Sequence, residues 1–315
     1  MAIIPTGEDK LQQSSISPAV ATSAGETPNV TTTNEAEAPS TASESFGGIA
    51  VPTIVNQTVP LVVFVGPPSS GKSMILVRLA KFLRTQGYTI KTDPTFLNTP
   101  KYQQDCEEFE DSLNTTVALP GTVKFLLVDV YKNGNLIGKL LEAPGEDFYT
   151  TDPQKNKDGK NQRIEPYLAT IMTSSNPKSY VTLLDLDSET SFRRDGYHRQ
   201  SYEQRFLTHF YPAINKNRDK IILLYNKIDV TPFGDINGCN NPTGALKDAK
   251  LFYPAWFASM KVTKFMITVE NFTFKTFCTG MFANQLDNMG RPYKTYNMAS
   301  DVFPRELWKE IASKW

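Results

Sequence analysis

The first 48 residues follow neither a two-residue nor a 3.6-residue apolar repeat. Ser, Thr, Ala, Pro, Glu and Asn dominate them, and Phe46 is the first aromatic residue. Such a segment has too little apolar surface to offset the entropy of ordering, so residues 1–48 are predicted to form a disordered tail. The pattern changes near residue 58. Leu61–Val65 (LVVFV) is short and wholly apolar, as in a strand buried on both faces of a parallel sheet. In the run that follows, Ile75, Leu76, Leu79, Phe82 and Leu83 recur at helical spacing, and Gly87 offers a stop.

Residues 92–122 are polar, with a short acidic helix predicted over YQQDCEEFEDSL. Two apolar runs, TVKFLLVDVY and NLIGKLLEA, flank KNGN at Lys132–Asn135. Asn-Gly between apolar runs signals a hairpin, so the second and third strands are expected to be antiparallel. Residues 147–178 combine a polar, mobile loop around KNKDGKNQ with a helix over EPYLATIM. A fourth strand is expected over Ser179–Asp187, a helix over 201–214, and a fifth strand over Lys220–Asp229. A second insertion covers 230–260. The stretch 262–280 reads as strand, broken near Glu270–Asn271, and 301–315 as a helix with Pro304 in its first turn. The pattern predicts a three-layer α/β fold with a mostly parallel sheet of about six strands and one antiparallel edge strand. The folded domain is expected over 58–315.

Composition narrows the classes of function. Lys+Arg and Asp+Glu both number 33 in 315 residues, so the formal net charge is zero. Overall charge therefore gives no reason to expect nucleic acid or an acidic membrane as partner. Three cysteines without a C-x-x-C pair and only two histidines argue against a disulfide framework or a structural zinc site. No apolar run is long enough to cross a bilayer, and the N-terminus lacks the pattern of a secretory signal. A cytoplasmic protein is expected.

Between the first strand and the first helix stands GPPSSGKS, Gly66–Ser73. A helix N-terminus offers free N–H groups and a partial positive charge to an anion. Gly66, Ser69, Ser70 and Gly71 would cradle phosphates, Lys72 would reach the terminal phosphates, and Ser73 would ligate Mg²⁺. Pro67 and Pro68 each remove a donor, but the later amides, Ser69 to Ser73, remain. A second motif, NKID at Asn226–Asp229, follows the apolar run IILLY. A carboxylate at the carboxyl end of a central strand can accept from the N1–H and 2-amino group of guanine, a donor pair that adenine lacks. Asp229 is the candidate for that choice, beside Asn226 and Lys227.

GPPSSGKS and NKID together resemble the Ras-like, translation-factor-related P-loop GTPases, over roughly Pro60 to Trp315. The resemblance implies GTP or GDP with Mg²⁺, a nucleotide-controlled switch and a protein effector or regulator. The family's D-x-x-G corresponds to EAPG, with Glu142 towards the metal and the Gly145 N–H towards the γ-phosphate. Glu146 stands where a water-orienting Gln often stands, which implies slow or partner-assisted hydrolysis. The metal-closing threonine corresponds to Thr122, with Thr115 and Thr116 as rivals. The base-contacting loop corresponds to FCTG, through Cys278, with TVEN at Thr268–Asn271 as its competitor. Arg163, Arg193 and Arg194 are candidate internal arginine fingers. A nucleotide-binding scaffold without turnover and an ATP-using P-loop enzyme remain open alternatives.

Overall fold

The computed structural model describes residues 54, 56, 58–67, 70–115, 125–145, 166–184, 199–264, 266–286, 289–290, 292–313 and 315. The predicted tail, the loop around KNKDGKNQ, and residues Ser69, Thr116, Thr122, Glu146, Arg163, Arg193 and Arg194 lie outside them.

In chain order the first part comprises β1 (Leu61–Val65), α1 (Lys72–Thr85), β2 (Tyr88–Thr92), α2 (Pro100–Asn114), β3 (Leu126–Lys132) and β4 (Asn135–Glu142). Then come α3 (Pro166–Thr173), β5 (Lys178–Leu184), α4 (Arg199–Arg205) and β6 (Lys220–Tyr225). The last part holds α5 (Pro242–Phe252), α6 (Pro254–Ser259), β7 (Lys261–Lys264), β8 (Ile267–Glu270), β9 (Thr273–Thr276), β10 (Gly280–Leu286), β11 (Pro292–Met298) and α7 (Val302–Ala312).

Seven strands form the central sheet in the order β2-β3-β4-β1-β5-β6-β9. Strands β4, β1, β5, β6 and β9 pair in parallel. Only β3 is reversed, pairing antiparallel with both β2 and β4. The α/β class and the mostly parallel sheet agree with the sequence reading, with one refinement. The reversed strand is second from the edge, because β2 covers it. All five residues of β1 are buried, and so are all seven of β5, which is why these runs are continuous rather than alternating.

Local chemistry sets the element ends. The Asn133-Gly134 turn joins β3 to β4 with both residues at positive φ, 52° and 79°, as a two-residue hairpin requires. Helix α2 begins at Thr99, whose side chain accepts from the Tyr102 N–H, with Pro100 in the first turn. Helix α1 buries Ile75, Leu76, Leu79 and Leu83 against the sheet, each contributing about 1.5–3 kcal/mol. Helix α7 buries Phe303, Leu307, Trp308 and Ile311, and Arg78 of α1 donates to the Ala299 carbonyl (2.8 Å) and pairs with Asp301 at its start. Trp315 packs so closely on Gly138 of β4 that a Cβ there would lie 2.1 Å from its ring.

The 230–260 insertion contains α5 and α6. The strand-like stretch 262–280 resolves into three strands. The first two, β7 and β8, form a separate antiparallel ribbon, and only β9 enters the central sheet. Strands β10 and β11 form a second ribbon. The predicted helix at 201–214 continues from α4 through one π-helical turn, Phe206–Phe210, and a short 3₁₀ turn, Tyr211–Ala213, where Pro212 ends it.

Candidate nucleotide site

Parallel pairing brings the carboxyl ends of β1, β4, β5 and β6 to one edge of the sheet. Phe64 is paired with Glu142, so the acid at the end of β4 lies beside the strand that feeds the glycine loop. A strand, this loop and a helix N-terminus at the middle of a mostly parallel sheet make up the P-loop NTPase fold.

Two glycines set the loop's path. Gly71 has φ +92°, a conformation side chains rarely adopt, and a Cβ there would lie 2.7 Å from Asn226 Nδ2. At Gly66 a Cβ would lie 2.8 Å from Ser70 Oγ. Lys72 is buried and folds back on the loop, its Nζ donating to the carbonyls of Gly66 (3.0 Å) and Pro67 (2.9 Å). Pro67 thus supplies a carbonyl where it lacks a donor. The Ser73 hydroxyl donates to Glu142 Oε1.

Glu142 is 1% exposed. Burial pushes its carboxyl up to about 7, against the opposing pull of Lys72 and the Ser73 hydrogen bond, and Asp105 adds to the rise. Asp105, on α2, is itself buried and ion-paired with Lys101. Sequence reasoning missed it. An acidic helix marked the segment, but nothing in the spacing marks which of its acids turns inward. Gly145, three residues past β4, is buried.

The NKID segment leaves the sheet at Tyr225. Lys227 turns it in the left-handed region (φ 57°), and Ile228–Val230 form one 3₁₀ turn. This corrects the expectation that the fifth strand runs to Asp229. The Asn226 amide donates to the Ser70 carbonyl at 2.9 Å, a bond across 156 positions that joins the second motif to the first. The Ile228 N–H donates to the Phe277 carbonyl (3.1 Å), and the Phe277 N–H to the Tyr225 carbonyl (2.7 Å). These bonds bring FCTG alongside NKID. Cys278 is fully buried, and burial together with its hydrogen bond to the Asp229 carboxylate pushes its thiol up to about 12. Thr268–Asn271, the competing segment, begins on the exposed β8.

Of the threonine candidates, only Thr115 is described. It caps the end of α2, and its carbonyl accepts from Lys81. Lys81 is eight residues, about 12 Å, along α1 from Ser73, which sets Thr115 apart from the loop.

Three buried polar atoms in this region have no protein partner: Ser70 Oγ, Glu142 Oε2 and Asn226 Oδ1. Buried polar groups are ordinarily paired, so orphans gathered around a phosphate-type loop suit a polar ligand. The Ser73 hydroxyl and the free oxygen of Glu142 are hard donors of the kind Mg²⁺ takes. Among the described residues no group of three or more His, Cys, Asp or Glu side chains could hold a metal alone, so phosphate oxygens and water would complete any such shell.

No family model matches the chain, and no curated protein does. Solved structures match distantly. One is a Plasmodium falciparum protein named as nucleolar GTP-binding protein 1, with 13% identity over 72% of this chain and 80% of that chain, at a TM-score of 0.36. Another is the Ski7 GTPase-like domain of S. cerevisiae, bound to GDP and inorganic phosphate, with 15% identity over 81% of this chain and 50% of that chain, at a TM-score of 0.38. The site reading rests on the geometry above. Among the described residues no helix is long and apolar enough to cross a membrane.

Proposed function

We propose that the chain binds GTP with Mg²⁺ and acts as a nucleotide-controlled switch, with hydrolysis that is slow or completed by a partner. The bond from Asn226 to the Ser70 carbonyl carries this reading, because it ties a guanine-type motif to a phosphate-type loop in one site. Residues 58–315 would form the GTPase domain and 1–48 its tail.

Lys72 would exchange its two loop carbonyls for phosphate oxygens. The amides of Ser69 to Ser73 would face the phosphates, and the Gly145 N–H the γ-phosphate. Ser73, Glu142 and Thr122 would hold Mg²⁺, which supplies charge neutralisation on the β- and γ-phosphates when bound. Asp229 would read the base, with Lys227 beneath it and the Cys278 loop beside it. Glu146 would orient the attacking water, and loss of the γ-phosphate would release the segments that carry Thr122 and Gly145.

Displacement of a labelled GTP analogue by GTP and by ATP tests the base reading, and equal displacement by ATP would defeat it. One observation favours a second reading, a scaffold that binds nucleotide without turnover. Glu142 is longer than the family's aspartate and is buried where its charge is disfavoured. Single-turnover phosphate release in Mg²⁺ separates the two, since bound nucleotide with no release would favour the scaffold.

A further inference from the structure

Helix α2 turns Tyr102, Asp105, Cys106, Phe109, Ser112 and Leu113 inward. Asp105 is the one charged residue of this stripe. It is 3% exposed, while Glu107 and Asp111 on the same helix face solvent. Carboxylates are rarely buried so fully without a partner that requires it. Its ion pair with Lys101 gives little reason to bury the acid, because the lysine side chain is 53% exposed and the pair is of the ordinary i,i+4 kind.

Contacts at both ends of α2 set where Asp105 lies. At the C-terminal end Asn114 accepts from Arg84 (2.9 Å), and the Thr115 carbonyl accepts from Lys81. Near the N-terminal end the Tyr102 hydroxyl donates to the Asp93 carbonyl (2.8 Å) and accepts from the Leu127 N–H (3.4 Å). Leu127 follows Leu126, the cross-strand partner of Glu142. Helices α1 and α2 therefore run side by side in the same direction. Asp105 is ten residues, about 15 Å, back along α2 from Thr115, and Ser73 is eight residues, about 12 Å, back along α1 from Lys81. Asp105, one turn past Tyr102, thus stands level with Ser73 and beside the end of β4. Its charge accordingly acts on the Glu142 carboxyl.

Two buried acids held near one another repel unless a proton or a cation offsets them. Glu142 Oε1 accepts from Ser73, while Oε2 has no protein partner although the residue is 1% exposed. Lys72 lends positive charge to this corner. Once Lys72 turns to phosphate oxygens, as the proposed function requires, the acids need another cation. Two carboxylates and a hydroxyl are the hard oxygen set that Mg²⁺ takes, and that ion keeps several of its waters.

We propose that Asp105 is a further protein group of the Mg²⁺ site, holding a water of the ion's shell across from Ser73 and Glu142. The proposal rests on the reading of this loop as a site for a nucleotide with Mg²⁺. Titrating Mg²⁺ into the full chain with a fluorescent, non-hydrolysable GTP analogue tests the two separately. Equal binding of the analogue by the wild-type chain in Mg²⁺ and in EDTA would defeat the underlying reading, and the proposal with it. Where binding depends on Mg²⁺, Asp105→Asn should raise the Mg²⁺ concentration for half-maximal binding about 10- to 100-fold, and saturating Mg²⁺ should restore the wild-type affinity. Asp105→Ser should shift the midpoint in the same direction. Lys101→Met, which removes the exposed ion-pair partner, should leave the midpoint unchanged. A wild-type midpoint in both Asp105 variants would overturn the proposal and leave the nucleotide reading standing. An affinity that saturating Mg²⁺ fails to restore, or an equal shift in Lys101→Met, would give Asp105 a structural role and overturn it too.

Discussion

The two ends of the proposed nucleotide site are built differently. The phosphate end lies within eight consecutive residues, Gly66–Ser73, where Lys72 donates to two carbonyls of its own loop. The base end is assembled from two segments about fifty positions apart, Asn226–Asp229 and Phe277–Cys278, joined by backbone bonds at the end of the sheet. One side-chain bond, from Asn226 to the Ser70 carbonyl, connects the two ends. Affinity for any nucleoside triphosphate should therefore depend on the loop, and choice of base on the assembled end.

Lys72→Ala should have the largest effect. Losing two charge-assisted contacts should weaken GTP and its analogues alike by about 100-fold or more, measured by calorimetry, with the circular dichroism of the fold retained. A weakened GTP alongside an unchanged ATP would erase the distinction between the ends. Asp229→Asn comes next. It should weaken GTP by about 10- to 100-fold and weaken xanthosine triphosphate less, because the new amide can donate to the 2-oxo group. Unchanged selectivity in competition assays would take base reading away from this end.

Gly71→Ala strikes the connection itself. A Cβ at φ +92°, 2.7 Å from Asn226 Nδ2, should cost about 1–3 kcal/mol of stability and lower nucleotide affinity about tenfold without changing base preference. A change of preference would mean that the ends are coupled more tightly than a single bond implies.

The smallest effect belongs to a control outside both ends. Lys178, at the start of β5, is buried, and burial lowers its amine to about 8 from 10.5. Between those values the unfolded chain binds the extra proton, so this group's contribution to stability should rise as pH goes from about 8 to 10. Lys178→Met should lack that rise. The difference in Tm between the two proteins should close by a few degrees at most, and it should be the same with and without nucleotide.

What could be read from the sequence follows the same division. β1, the glycine loop and α1 are contiguous and strongly patterned, so their type and order were legible. Strand β2 was not: only Ile90 of its five residues is buried, which leaves no apolar run to detect. β10 and β11 were also missed; they pair with each other in a ribbon outside the central sheet. In the site, the composition of each motif was legible but the links between motifs were not. The contact of Asn226 with Ser70 depends on β5 lying between β1 and β6, and the approach of Asp105 to Glu142 depends on how α2 folds over the sheet. The spacing could not choose between FCTG and TVEN. Strand pairing sets the first beside Asp229, because β9 joins β6 while β8 turns away with β7.

The close seat of Trp315 on Gly138 gives the molecule an optical handle. Trp315 and Trp308 meet edge to face at 4.8 Å, and the third tryptophan, Trp256, is fully buried among Tyr202, Phe206 and Tyr253. In a Trp256→Phe background, the remaining tryptophan emission comes from the indole pair alone. Gly138 and Glu142 lie on the same strand, about 13 Å apart. The pair can therefore report without an added dye on the strand whose far end meets Ser73.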